Sequence, residues 1–245
     1  MTSGDAAAAV GPVVPVSRLE LTYAPQPWPF AAERRAEIDA HFERAKVERP
    51  GIWNGQVLVM HRHRLDRGAL EGAFLQTDFA SFMAWRDWGF PEAGVTNCFS
   101  MGALRTSDGA WIMGVMAPQT SGGGKIYFPA GTPDPDDVVD GAVDLAANMI
   151  REVAEETGLG AGDFVERDGW HCVVDGPRIA LIKVLQVHEA AEALRRRILD
   201  HLAREAAPEL ADIRIVRSRR DFDPMMPSFV TAFLDHTNFL ADQRS

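Results

Sequence analysis

One stretch constrains the fold more than any other in this 245-residue chain: DLAANMIREVAEETG, Asp144 to Gly158. Asp144 is a good N-cap and Gly158 a good stop, so the segment predicts a helix from about Leu145 to Thr157. At 100° per residue, Leu145, Ala146, Met149, Ile150 and Val153 fall on one stripe. Such a stripe has to lie on a core. Glu152, Glu155 and Glu156 flank it within about a third of the helix circumference. Glu152 is three residues from Glu155 and four from Glu156, so the three carboxylates can converge. Arg151 stands four residues before Glu155 and can hold that carboxylate.

Two readings of the acidic turn stand side by side. On a solvated face, like-charge neighbours cost only a few tenths of a kcal/mol each. In a pocket, two charges ~6 Å apart at an effective dielectric of ~20 repel by roughly 3 kcal/mol. Three such groups then call for a divalent cation, and oxygen-only ligands favour a hard ion, Mg²⁺ or Mn²⁺. The segment Phe128-Pro129-Ala130-Gly131-Thr132 favours the pocket. It lies between a strand and the acidic helix, and its glycine lets backbone approach a ligand closely.

The rest of the chain reads as mixed strands and helices without an internal repeat. Residues 31–47 predict a helix carrying Ile38, Phe42 and Ala45, and VLVMHR after Trp53-Asn54-Gly55 predicts a strand. GAFLQTDF predicts a strand running into a helix near FASFMAWRDW. Residues 103–116 predict a hairpin turning at Ser107-Asp108-Gly109. Residues 125–128 predict a short strand, and 129–141, rich in Pro, Gly and Asp, a loop. A buried strand over 178–187, a helix over 189–206, a strand over 212–218 and a helix over 225–237 complete the pattern. Hairpins mixed with helices favour a mixed sheet with helices on both sides.

REVAEETGL (151–159) resembles the tail of the Nudix box and matches every specified position of it. FPAG (128–131) is similar to the loop that opens the box. Three features depart from the usual pattern. The stretch between Gly131 and Arg151 is about six residues longer, Val143 stands where a glutamate is expected, and Ala130 replaces a frequent glycine. The resemblance implies an α/β fold, a Nudix-type α/β/α sandwich with a mixed sheet, over residues 96–245, and an N-terminal extension over 1–95. It implies Mg²⁺-dependent hydrolysis of a nucleoside diphosphate linked to another moiety. Glu152, Glu155 and Glu156 would bind the metal, with the Gly131 carbonyl as a further ligand. Arg151 would orient the glutamates, and Glu155 would accept the proton of the attacking water. Asp144 either replaces the missing upstream acid or only caps the helix.

The N-terminal half is similar in layout to Nudix enzymes that cleave UDP-glucose and UDP-galactose. The similarity lies in Ile52-Trp53-Asn54-Gly55, the LQTDFASFMAWRDWGF segment and the strand pair that follows. Where those enzymes carry an arginine pair, this chain has Met116-Ala117-Pro118-Gln119. A nucleotide sugar is therefore the first-choice substrate, with Trp53 or Phe79 stacking on the base, Asn54 bonding it and Lys125 near the substrate. The competing reading of these N-terminal residues is core or turn. A coenzyme A diphosphatase and a non-catalytic nucleotide sensor are the alternatives, and a homodimer is a family-based expectation.

Other features point elsewhere. The net charge of −10 argues against nucleic-acid binding. Cys98 and Cys172 fit no paired motif, which favours a reducing compartment. The first eighteen residues have no basic start, and Gly11, Pro12 and Pro15 break their apolar run. They are expected to be a loose tail, neither signal peptide nor membrane span, in a soluble cytoplasmic protein. SGGGK (121–125) lacks the flanking residues of a phosphate loop. His61 and His63 alternate on a strand without a third zinc ligand. Arg195, Arg196 and Arg197 read as a solvated helix face. Asp221-Phe222-Asp223-Pro224 reads as a turn before it reads as the mouth of a site.

Overall fold

A computed structural model describes residues 10–242. The expectation for residues 1–9 lies outside the described part. In chain order the elements are β1 (Val13–Val16), β2 (Arg18–Tyr23), α1 (Pro29–Glu33), α2 (Arg35–Glu48), β3 (Gln56–Asp66), β4 (Ala69–Asp78) and α3 (Phe79–Asp87). Then come β5 (Asn97–Arg105), β6 (Trp111–Met116), β7 (Ile126–Tyr127), β8 (Ala130–Gly131), β9 (Val138–Val139), β10 (Ala142–Val143) and α4 (Leu145–Thr157). The chain closes with β11 (Phe164–Glu166), β12 (Trp170–Asp175), β13 (Arg178–Val187), α5 (Ala191–Leu202), β14 (Leu210–Val216) and α6 (Ser228–Asp242).

These elements build a mixed α/β architecture on two mixed sheets. The large sheet runs β1-β12-β13-β5-β6-β14, with β7, β8 and β11 pairing at its margins. Only β13 and β5 are parallel in it, in register from Arg178↔Asn97 to Gln186↔Arg105. The small sheet runs β3-β4-β2-β10-β9, with β2 and β4 parallel.

The period-two alternation of β5 and β13 decides which helix covers which face. Cys98, Leu104, Ile179, Leu181 and Leu185 join the core under α4 and α5, with Met149, Val153 and Ile198. Met101, Ala103, Ala180 and Ile182 join the core under α6, with Phe229, Val230 and Phe233. Each apolar side chain buried in this way contributes about 1.5–3 kcal/mol. α4 lies close on β5 because Gly102 has no side chain; a Cβ there would sit 2.4 Å from Val153 Cγ2. A third core joins α2 and α3 to β3 and β4 through Ile38, Phe42, Val59, Leu75 and Trp85.

The helix over 145–157 has the expected bounds: Asp144 Oδ1 accepts from the N–H groups of Ala146 and Ala147, and Gly158 ends it at φ 71°. The hairpin at Ser107-Asp108-Gly109 also forms, with Gly109 at φ 83°. Three expectations need correction. The helix over 31–47 is two, broken where Arg34 leaves helical geometry and lays its guanidinium over Trp88. From Gly11 on, the expected loose tail is ordered, because β1 pairs with β12 and the Gly11 N–H donates to Val174. Residues 129–141 are not plain loop: β9 and β10 form a tiny hairpin across Asp140-Gly141 (φ 50° and 80°), and β10 pairs with β2. Asp-Gly is the residue pair that such a turn favours.

The residues before 96 thus contribute to both sheets, and residues 138–143 return to the small one. Among the described residues no helix is long and apolar enough to cross a membrane.

Candidate active site

The acidic turn of α4 stands against the Ala130-Gly131 bend. Glu152 lies flat on Gly131: a Cβ on that glycine would meet Glu152 Oε1 at 2.1 Å and Cδ at 2.2 Å. Only a glycine allows this approach. Glu156 is 4% exposed; its Oε1 accepts from the Ala130 N–H at 3.4 Å, and its buried Oε2 has no hydrogen-bond partner. Glu155 differs. Its side chain is 62% exposed, and it meets Arg151 only at 3.8 Å. Two of the three glutamates therefore face the sheltered bend and the third looks outward.

Arg151 reaches Glu155 as an ion pair and gives its hydrogen bonds to other carboxylates. It donates to Glu152 Oε1 at 3.0 Å and to both oxygens of Asp137, at 3.0 and 3.3 Å. Asp137 is buried and also accepts from Asn148 Nδ2 at 2.9 Å, while Ser100 donates to Asn148 Oδ1 at 3.1 Å. A polar chain thus runs from β5 through Ser100, Asn148, Asp137 and Arg151 to Glu152. The acid that pairs with Arg151 is Asp137; Asp144 is exposed and caps the helix. Sequence reasoning missed Asp137 because it lay in a run read as loop. It missed Asn148 because one polar residue beside an apolar stripe carries little weight. Its place three residues after Leu145 and four before Glu152 was the available signal.

Electrostatics follow from burial. Loss of water pushes the Glu152 carboxyl up to about 7, with Arg151 pulling it down and Glu155, Glu209 and Asp137 adding to the rise. Glu156 is pushed well up, by burial first and by Glu152 second, against the pull of the Ala130 N–H. Glu209, at the N-terminal end of β14, is raised by desolvation of its carboxyl and then by Glu155 and Glu205. It is a fourth acid from a separate element, again not expected.

Beside the bend opens a cleft of about 360 Å³. Phe79 and Phe82 come from α3, Phe90 from the turn after it, Asn97, Phe99 and Met101 from β5, and Phe229 from α6. Arg86, Lys125 and Arg178 supply positive charge, and Ala130, Gly131 and Thr132 form one edge. Gly131 is common to cleft and carboxylates. Tyr127, also in the lining, is raised by burial and then by Glu156.

Of the residues expected at the substrate, Lys125 and Phe79 line this cleft. Trp53 is 77% exposed and Asn54 accepts from the Ala80 N–H at 2.7 Å, so neither is part of the lining. Asn54 there fixes the start of α3. The other candidates settle as structure: Arg195 pairs with Asp212, Arg197 with Asp163 and Glu189, and Asp221 and Asp223 accept from backbone N–H groups in turns.

Among the described residues no three His, Cys, Asp or Glu side chains already stand close enough to hold an ion. The donors present are nonetheless those of a hard cation: carboxylate oxygens at a bend with a bare glycine, one of them buried without a partner.

No family model matches the sequence. No curated protein matches it either. Solved structures do, distantly. A Nudix hydrolase from M. smegmatis, RenU, is 15% identical at a TM-score of 0.39, over 60% of this chain and 84% of that one. A MutT protein from Methanosarcina mazei Go1 is 16% identical at 0.40, over 60% and 95%. A bifunctional NMN adenylyltransferase/ADP ribose pyrophosphatase from Francisella tularensis is 14% identical at 0.41, over 63% and 44%.

Proposed function

We propose that this chain is a Nudix-type hydrolase that cuts a nucleoside diphosphate linked to another moiety, with a nucleotide sugar as first choice. The observation that carries the reading is the seating of Glu152 and Glu156 against Gly131, with a buried Glu156 oxygen unpartnered, at the edge of a cleft lined by three cations. The sequence REVAEETGL at that place supports the same reading.

Glu152, Glu156 and the Gly131 carbonyl would hold Mg²⁺, or Mn²⁺, with Glu155 joining them when its exposed side chain turns inward. Bound there, the ion would neutralise diphosphate oxygens and make a bound water more acidic. Arg151, fixed by Asp137, orients Glu152. Lys125 and Arg86 offset the charge of the incoming diphosphate. Glu155, the exposed acid of the turn, takes up the proton of the attacking water. In this reading α4 and α5 on one face of the large sheet and α6 on the other make up a Nudix-type sandwich over residues 96–245, and the residues before 96 are an extension that supplies the α3 wall of the cleft. Cys98 and Cys172, free and buried, agree with a cytoplasmic setting.

A hydrolysis screen with and without Mg²⁺ tests this, using UDP-glucose, ADP-ribose, dinucleoside polyphosphates and coenzyme A. Wild type should release product on at least one substrate, and Glu156→Gln should lose at least 100-fold. If wild type is as inactive as the variant on all of them, the hydrolase reading fails and a nucleotide sensor takes its place.

A further inference from the structure

The acidic turns of α4 are gripped at both ends. Asp137 and Arg151 hold their start. Their finish is held from another helix. The last four carbonyls of a helix have no partner inside it. Of these, the Ala154 carbonyl accepts from the Gly158 N–H at 2.9 Å. The Glu155 carbonyl meets His201 Nε2, at 3.3 Å, from the last turn of α5. The same Nε2 lies 2.9 Å from Glu205 Oε1. A carbonyl and an ionised carboxylate only accept, so this nitrogen carries the hydrogen and shares it between them. Such three-centre bonds are common at helix ends.

The seat for the ring is built into the helix stop. A Cβ on Gly158 would lie 2.6 Å from His201 Nδ1, 2.7 Å from Cγ and 3.1 Å from Cε1. Only a glycine lets the imidazole lie so close, and φ 71° asks for glycine there as well. Gly158 thus both ends α4 and admits His201. The ring stands on a firm support: Leu194, Ile198 and Leu202 of α5 are buried in the same core as Met149 and Val153 of α4. Glu205, four residues on, holds the ring from the other side, and the two side chains are only 29% and 33% exposed. A donor at this place also meets the negative end of the α4 dipole.

We propose that His201 is a positioning residue for hydrolysis. It does not line the cleft. It pins the backbone carbonyl of Glu155, and with it the turn from which Glu155 and Glu156 project. This rests on the hydrolase reading, because the carboxylates to be placed are those that would hold the cation. Such a site tolerates little slack: a misplacement of about 1 Å costs on the order of 100-fold in rate. Glu155 depends on the pin most. Its side chain is exposed and makes only a 3.8 Å ion pair with Arg151, so its backbone decides where it stands.

The test pairs two variants. His201→Phe keeps a flat ring over Gly158 and loses the N–H, while His201→Gln loses the ring and keeps an N–H. Mn²⁺ affinity is read by calorimetry, and kcat and KM on the substrate that the hydrolysis screen gives. His201→Phe should weaken Mn²⁺ binding and lower kcat about tenfold each, with KM moved less than about twofold, and His201→Gln should recover most of both losses. Arg195→Ala frees α5 from the Ile213 carbonyl without touching His201, so it controls for a loosened helix and should change neither quantity. Nitrogen NMR on wild type needs no variant to fold: His201 should carry its proton on Nε2. A folded His201→Phe with wild-type Mn²⁺ affinity and kcat overturns the proposal. So do equal losses in His201→Gln or Arg195→Ala, or a wild-type ring protonated on Nδ1 alone. A wild type that neither hydrolyses nor binds Mn²⁺ sinks the hydrolase reading and this one with it, whereas hydrolysis that the folded variants leave intact sinks this one alone.

Discussion

Replacing Glu152 by Gln should stabilise the metal-free protein at pH 8 and leave it unchanged at pH 4. The carboxyl ordinarily releases its proton near 4.5, and in the fold it does so near 7, chiefly because burial against Gly131 removes water. At about 1.4 kcal/mol per tenfold change in proton affinity, the charged form is disfavoured by roughly 3 kcal/mol. The sign follows from proton counting. Between pH 4.5 and 7 the folded state holds more protons than the unfolded one, so stability falls as pH rises through this window and levels off above it. Glutamine has the same shape and does not titrate. The difference in unfolding free energy between Glu152→Gln and wild type should therefore grow from near zero at pH 4 to about 2–3 kcal/mol at pH 8. For a chain of this size that amounts to a gain in Tm of roughly 4–12 °C. The assay is urea and thermal unfolding from pH 4 to pH 8 with chelator present. A difference that stays constant across this range would refute the desolvated carboxylate.

Three further outcomes check the site's construction. Gly131→Ala puts a methyl 2.1 Å from Glu152 Oε1, so it should lower hydrolysis at least 100-fold and cost about 1–3 kcal/mol in urea unfolding. Asp137→Asn removes the charge that Arg151 grips; it should cost about 3 kcal/mol by chemical unfolding, with a drop in activity that raised Mg²⁺ partly restores. Gly102→Ala drives a methyl into Val153 under α4; it should destabilise by about 1–3 kcal/mol in thermal unfolding while leaving the KM for substrate within twofold.

What the sequence disclosed follows from range. The helix Leu145–Thr157 was legible because its caps, its stripe and its acids are all local, and the hairpin at Asp108-Gly109 for the same reason. β1, β2, β11 and β12 were missed: they run only four, six, three and six residues, and β1 and β2 owe their strand state to partners far along the chain. Glu152 and Glu156 could be placed beside Gly131 from the motif. That Asp137 rather than Asp144 would meet Arg151 depends on the β9–β10 hairpin docking on β2, a contact between residues more than a hundred positions apart.

Ser17 alone separates β1 in the large sheet from β2 in the small one. A single residue spans under 4 Å, so the edges of the two sheets are tied together at that corner. Clipping the peptide at Ser17 would cut that tie and leave the pairing of β1 with β12 and of β2 with β4 to hold each strand by itself.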